Sequence, residues 1–343
     1  MRVSLNGYFL ANEHTGSGQY VTHLLQHLRG VEVAVHRPPG LLGNVGKVRW
    51  EQSGWPRQAR ASGADLLHGP YFALPLKRDR PAVVTIHDLI PVILPAYRGS
   101  LLVRAYTWLQ ALACRSAEAI LVDSECSRRD VLDRLHVAPE RVHVVYLGVD
   151  PRYTPDRSGP PPLDRPYVFY IGGMDQRKNV PALLRAFSLV AARRPDLLLA
   201  IGGQVPEPGP LFPDVRSLAG ALGNRVRFLG AMDEARKVEL LRHAELFVAP
   251  SLYEGFGLGP LEAMACGCPV ASSNASSLPE IVEDAGLLFD PHDERAMADA
   301  MLRALDDPEP LRRKGPAQAA RFTWERSAEQ TAAAYRSALD ILP

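Results

Sequence analysis

The chain has 343 residues, 46% hydrophobic and 22% charged. That is enough to bury a sizeable core in about two domains, and it excludes a disordered chain or a disulfide-dependent mini-protein. Thirty-nine Lys and Arg against 38 Asp and Glu leave a net charge of +1, so no overall field draws the protein to nucleic acid.

In chain order, MRVSLNGYFL carries one Arg and then a short apolar run broken by Asn6. It reads as a first strand rather than a signal peptide. No apolar run approaches the ~20 residues of a membrane span, so a cytoplasmic protein is expected. Further strands are predicted at Val31–Val35, Asp65–Gly69, Ala82–Asp88, Ala119–Ser124 and Val142–Tyr146. Several are apolar throughout, as strands covered on both faces are. Helical patterns lie between them at Gln19–Leu28, about 100–115 and Arg128–Leu135. Four cysteines, Cys114, Cys126, Cys266 and Cys268, form no CxxC pair and read as small apolar residues.

Six of the 30 prolines fall in Pro151–Pro166. Without an N–H and with φ fixed, this stretch is neither helix nor central strand and reads as a stiff connector. Four more, Pro206, Pro208, Pro210 and Pro213, mark one loop. The alternation restarts with strands at Tyr167–Ile171, Leu197–Ile201, Val226–Leu229, Leu246–Ala249, Pro269–Ser272 and Leu287–Phe289. Helices are predicted at Val180–Arg193, Asp233–His243, Pro260–Ala265, Glu294–Ala304 and Ala328–Leu339. The fold class is therefore α/β: two doubly wound parallel-sheet halves joined near the proline run. Ligands in such sheets bind beyond the carboxyl ends of the strands.

Candidate residues sit at those ends. Gly16-Ser17-Gly18 precedes the first helix without forming GxGxxG, so the dinucleotide fingerprint of a dehydrogenase is missing. Gly46–Gly63 mixes Lys47, Arg49, Arg57 and Arg60 with Trp50 and Trp55. Two readings stand for it, a weak peripheral contact with an anionic membrane face and plain packing of the tryptophans. His87 and Asp88 end a buried strand, where His87 is either a site residue or a satisfied core histidine. Ser124 or Ser127 is placed to cap the helix that follows. Arg177 and Lys178 follow the strand Tyr167–Ile171 and could pair with a diphosphate. Beyond Ala249, a loop holds Glu254, Gly255, Phe256, Gly257, Leu258 and Gly259, and Pro260 suits the first position of a helix. The free N–H groups at that helix start make an anion site. Glu254 and Glu262, the latter assigned to the helix's first turn, can accept hydrogen bonds from vicinal hydroxyls.

EGFGLGPLE (Glu254–Glu262) followed by AMACGCPV resembles the Glu-x₇-Glu signature of retaining glycosyltransferases of family 4, which have the GT-B fold. YIGGMDQRKNV (Tyr170–Val180), VRFLGAM (Val226–Met232), AELFVAPSLYEGFG (Ala244–Gly257) and LPEIVEDAGLLFDP (Leu278–Pro291) follow the family's order and spacing. The resemblance implies two Rossmann-like domains facing across a cleft. An acceptor-side domain would span 1–160 and a nucleotide-sugar domain 161–322, with a helix at 323–343 crossing back to the first. It implies that Glu254 and His87 are catalytic, His87 approaching the transferred sugar. Arg177 and Lys178 would meet the diphosphate, and Glu262 the ribose. Phe256, Gly257, Leu258, Gly16 and Gly18 would complete the donor site. Many members have Arg where this chain has Gly173, so Arg177 supplies that charge. The style of TIHDLIP and GGMDQRKN resembles bacterial mannosyltransferases, which makes GDP-mannose the first donor and a UDP-hexose the next. A saccharide or lipid-linked saccharide is the expected acceptor, with a natural-product aglycone as the alternative. No metal and no cofactor beyond the donor are expected, since no DxD stands at a predicted strand end. Phosphorylases, nonhydrolysing epimerases and non-catalytic nucleotide-sugar-binding proteins are the competing readings of the same fold.

Overall fold

The computed structural model describes residues 1–11, 16–40 and 42–340. Glu13–Thr15, ahead of the glycine pair, and Ile341–Leu342, past the last helix, lie outside them. The described residues form two units, Met1–Gly148 with Thr323–Pro343, and Val149–Phe322.

In the first unit the chain runs β1 (Arg2–Asn6), α1 (Gly16–His27), β2 (Glu32–His36), α2 (Asn44–Arg49), a π-helical turn (Trp50–Gly54), α3 (Trp55–Ala61), β3 (Leu66–Gly69) and β4 (Ala82–Ile86). It continues with α4 (Ile90–Ile93), α5 (Leu101–Arg115), β5 (Ala119–Val122), α6 (Glu125–Leu135) and β6 (Val142–Val144). The six strands pair in parallel in the order β2-β1-β3-β4-β5-β6. Every residue of β3, β4 and β5 is buried, which is why these strands read as largely apolar runs, broken only by His68 in β3 and Thr85 in β4. The edge strand β2 is only half-buried.

The second unit holds β7 (Tyr167–Ile171), α7 (Val180–Arg193), β8 (Leu198–Gly202), α8 (Val215–Gly220), β9 (Val226–Gly230), α9 (Glu234–His243) and β10 (Leu246–Ala249). Then come α10 (Leu258–Ala265), β11 (Val270–Ser273), α11 (Leu278–Val282), β12 (Leu287–Phe289), α12 (Glu294–Asp306) and α13 (Glu309–Ala319). Its parallel sheet has the order β12-β11-β10-β7-β8-β9. Val168, Leu199, Ile201, Val248 and Ala271 from this sheet close on Leu183, Phe187, Met297 and Met301 from α7 and α12.

Three features depart from the sequence expectations. The first unit ends at Gly148 rather than at residue 160. The proline-rich stretch, expected as a stiff connector between the halves, is a strap held on the second unit. Arg242 Nε donates to the Thr154 carbonyl at 2.9 Å, Arg236 Nη2 to that of Pro162 at 3.1 Å, and His243 Nε2 meets that of Gly159 at 3.0 Å. Helices also occupy Asn44–Ala61 and Glu309–Ala319, where none is predicted. There Gly54 lets the backbone close on the Trp50 ring, since a Cβ would lie 2.8 Å from it. Gly315 likewise seats α13 against the backbone of Met264.

The chain's last described helix, α14 (Trp324–Asp340), packs in the first unit against α1, β4 and β5. Its Tyr335 donates or accepts at His68 Nδ1 (2.7 Å), and Thr85 lies 2.9 Å from the other ring nitrogen. Burial pulls His68 down to about 3, so it is a neutral relay between helix and sheet. At Gly148, where the chain leaves this unit, a Cβ would lie 2.2 Å from the Trp324 nitrogen, where the chain has just returned.

Candidate active site

In the second sheet the chain order reverses between β7 and β10. Such a reversal opens a crevice beyond the carboxyl ends of the two strands, where ligands bind in open α/β sheets. Both exits are pinned to each other. Asn179, at φ 57°, starts α7 and donates its side-chain N–H to the carbonyls of Pro250 (3.1 Å) and Pro291 (2.8 Å). The Leu252 N–H reaches the Arg177 carbonyl at 2.8 Å.

The carboxylate of Glu254 is the centre of this crevice. Arg177 Nη1 donates to Oε2 at 2.7 Å, Lys178 Nζ to Oε1 at 2.6 Å and Ser251 Oγ to Oε1 at 2.7 Å. Arg177 also donates to the Tyr253 carbonyl at 2.9 Å and lies 3.5 Å from Asp175. The loop is braced behind by Ser276, which accepts from the Glu254 N–H, and by Ser277, which donates to the carbonyls of Glu254 and Phe256. Burial penalises the Glu254 carboxylate, but Lys178 and Arg177 outweigh it and hold its pKa below the ordinary value.

Glu262 has a different environment. Lys237 of α9 meets both its oxygens, at 2.8 and 2.7 Å, and lies over the Tyr153 ring. Tyr153 in turn donates to Glu234. Here burial prevails over Lys237, and the pKa of Glu262 is raised. The helix α10 starts at Leu258, so Glu262 stands in the second turn and Pro260 at the third position, each later than expected.

The glycines of this loop have local reasons. Gly257 has φ 122°, a conformation side chains disfavour, and Gly259 brings α10 onto the Phe247 ring. Phe256 is buried, with its ring edge-on to Phe322. Leu258 is half-buried at the helix start.

In the first unit His87 follows β4 and Asp123 follows β5. His87 Nδ1 lies 2.7 Å from Asp123 Oδ2, and the ring edges onto Tyr20. Burial pulls His87 down, yet Asp123, aided by Asp88 and the Pro70 carbonyl, raises it overall. Ser124 accepts from the Ser127 N–H at 3.0 Å and caps α6. Gly16 and Gly18 fall inside the first turn of α1 rather than in a loop before it, and a Cβ at Gly16 would meet nothing. Trp50 and Trp55 are core residues, donating to Asn6 Oδ1 (2.9 Å) and Ser4 Oγ (3.0 Å), which removes the basis for a membrane contact through them. Cys114, Cys266 and Cys268 are buried, and no disulfide occurs among the described residues.

The structure thus joins Arg177, Lys178 and Glu254 in one cluster and gives Glu262 a separate partner. Asp123, Ser251, Tyr153 and Lys237 were missed from sequence. Asp123 carried a signal, being an acid just past a buried strand. Lys237 carried a fainter one, since it shares a helix face with buried Leu240 and Leu241. Among the described residues, no group of three or more His, Cys, Asp or Glu could hold a metal ion.

Residues 154–321 match the family described as glycosyl transferases group 1, and residues 14–153 match glycosyltransferase family 4. The chain is 36% identical to the O-antigen chain mannosyltransferase B of Escherichia coli, over 79% of this chain and 74% of that protein. It is 31% identical to the alpha-maltose-1-phosphate synthase of Mycolicibacterium smegmatis, over 93% of this chain and 87% of that one. Among solved structures, sucrose-phosphate synthase of Thermosynechococcus elongatus shares the fold with a TM-score of 0.78 and 23% identity, covering all of both chains. Anabaena HepE in complex with UDP and glucose superposes with a TM-score of 0.74 at 17% identity, over 98% of this chain and 100% of that one.

Proposed function

The chain belongs to the group 1 and family 4 glycosyltransferases, of GT-B fold. From that premise we propose that it moves a hexose, mannose first, from a nucleotide diphosphate sugar to an acceptor hydroxyl during glycan or glycoconjugate assembly, with retention at the anomeric carbon. The observation that carries the reading is the sharing of one carboxylate, Glu254, by Arg177 and Lys178 at the β7/β10 reversal. Asp175 also lies 3.5 Å from Arg177, so the charges balance as they stand, and a diphosphate is the ligand that takes the two cations over from their carboxylates.

On this reading the donor diphosphate draws Arg177 and Lys178 toward its oxygens and releases Glu254 to the hydroxyls of the sugar. The N–H groups opening α10 add to the charge that stabilises the leaving group. Glu262, steadied by Lys237, accepts from the ribose hydroxyls, and His87 bears on the transferred sugar. The bond from the anomeric carbon to the phosphate oxygen breaks as the bond to the acceptor oxygen forms on the same face. The acceptor proton passes to the departing phosphate oxygen. With protein cations carrying the phosphate charge, neither a metal nor a further cofactor is assigned, and a chelator leaves the rate unchanged.

The mannosyltransferase relative supports mannose as the transferred sugar, and with it go GDP-mannose as the proposed donor and a saccharide or lipid-linked saccharide as the proposed acceptor. Thermal stabilisation by GDP, UDP, TDP and ADP tests the donor. A nucleotide about a hundredfold above its Kd adds about 2.7 kcal/mol, and GDP is expected to give the largest shift. A larger shift with UDP replaces the mannose donor by a UDP-hexose, and no shift with any of them overturns the donor-site assignment. The anomeric configuration of the product, read by NMR, tests retention.

A further inference from the structure

The helix α5 departs from an ordinary surface helix: its inward face buries Ala113 and Cys114 in the core, and its outward face is apolar as well. Its inward face carries Gln110, whose amide donates to Glu51 at 2.9 Å and accepts from the Leu74 N–H at 3.0 Å. Its outward face carries Leu101, Ala105, Trp108 and Leu112, spaced i, i+4, i+7 and i+11 and hence stacked along one side. Leu101 is 79% exposed, Leu102 83%, Trp108 66% and Leu112 36%. An amphipathic surface helix puts such a stripe toward the core and polar residues toward water, and a contiguous exposed apolar patch marks a surface that something covers.

The charge around the stripe says what covers it. No Asp or Glu occurs from residue 89 to 117, while Arg98, Arg104 and Arg115 do. All three arginines are exposed, and so is Lys77. The basic turn holding Lys77 abuts the end of α5, where Arg78 donates to Ser116 Oγ at 2.8 Å. None of Lys77, Arg98, Arg104 and Arg115 has a carboxylate partner among the described residues. We propose that α5 is an interfacial anchor that lies on an anionic phospholipid bilayer, its apolar stripe in the headgroup–acyl boundary and its four cations on the lipid phosphates. Trp108 stands mid-stripe, where an indole is favoured at a membrane interface, and a basic-flanked apolar face is the form such anchors take. No helix among the described residues is long and apolar enough to cross a membrane, so the contact is peripheral.

The protein supplies its own reporter. Trp50, Trp55 and Trp324 are buried, and Trp108 alone of the four tryptophans is exposed. With full-length protein and vesicles of equal parts phosphatidylglycerol and phosphatidylcholine, the emission should shift to the blue and be quenched by brominated acyl chains. The protein should pellet with these vesicles, and raised salt should release it. Leu101→Ser with Leu112→Ser should cut pelleting about tenfold or more, without lowering the melting temperature, because both side chains face outward. Arg98→Gln, Arg104→Gln and Arg115→Gln together should remove the preference for phosphatidylglycerol. Equal binding to pure phosphatidylcholine, no pelleting with either vesicle, or a concentration-dependent dimer abolished by Trp108→Ser would each overturn the proposal.

Discussion

Each sheet reverses its chain order once, and the two reversal points carry opposite chemistry. At β7/β10 two cations share Glu254. At β1/β3 a single ammonium, Lys47, lies 5.1 to 5.4 Å from the centres of four rings, those of Tyr8, Phe9, Tyr71 and Tyr106. Its carboxylate, Glu51, is fully buried at 3.8 Å and already takes hydrogen bonds from Tyr71, Tyr106 and Gln110. Burial lowers Lys47 and raises Glu51, so both are pushed toward neutrality. Glu254 is pushed the other way and stays ionised. Topology offers two crevices, and the residues decide that only the second holds its carboxylate ionised. Function resides in such sites rather than in the fold that presents them.

The contrast can be broken from the charged side first. Lys237→Ala leaves the buried Glu262 carboxylate unpaired, which should cost about 3–5 kcal/mol in urea unfolding. Adding Glu262→Gln to the same chain should recover most of it, and failure to recover would show that Lys237 acts through packing. Next, Lys178→Ala should lower turnover about 10²- to 10³-fold, as loss of one charge-stabilising donor does. The fold should survive, because Arg177 still holds Glu254. Separating the two glutamates comes third. Glu254→Ala should fall mainly in kcat, and Glu262→Ala mainly in donor affinity, as measured by steady-state kinetics and nucleotide titration. The reverse split would exchange their roles.

Smaller effects sharpen the first unit. The pKa of His87 is raised in the folded state, so its contribution is complete below the unfolded value of about 6.5. It is lost as pH climbs through the higher folded value. The melting temperature should therefore decline from mildly acidic to mildly alkaline pH, and Asp123→Asn should flatten that decline. A parallel slope in the variant would remove the ion pair as its cause. Last, Ser124→Ala should cost about 1 kcal/mol by uncapping α6.

Much of the fold could be read from the residues because parallel strands buried on both faces leave largely apolar runs, as in β4 and β7. Strand ends then located Arg177, Lys178, Glu254 and His87. Partners escaped that reading, since they come from distant chain. Lys237 reaches Glu262 from α9, and Asp123 reaches His87 from the next strand. The helices within Asn44–Ala61 escaped it too, because packing there overrides the propensity of glycine and proline. Gly54 and Pro56 sit within helical turns because Trp50 and Trp55 gain burial there. The tryptophans at 50 and 55 could be assigned to membrane or core only once their indole N–H groups had acceptors, Asn6 and Ser4.

The close approach of Gly148 to Trp324 bears on how the chain acquires its structure during synthesis. The second unit, Val149–Phe322, is a single uninterrupted stretch and can complete itself as it leaves the ribosome. The first unit cannot, because α14, which supplies Tyr335 to His68, is made only after the second unit. The earlier-made sheet must wait, with the surface of β4 and β5 uncovered, for α14 to arrive. Translation order and folding order are thus opposed in this chain, and a ribosome stalled before residue 323 would carry a finished second unit beside an unfinished first.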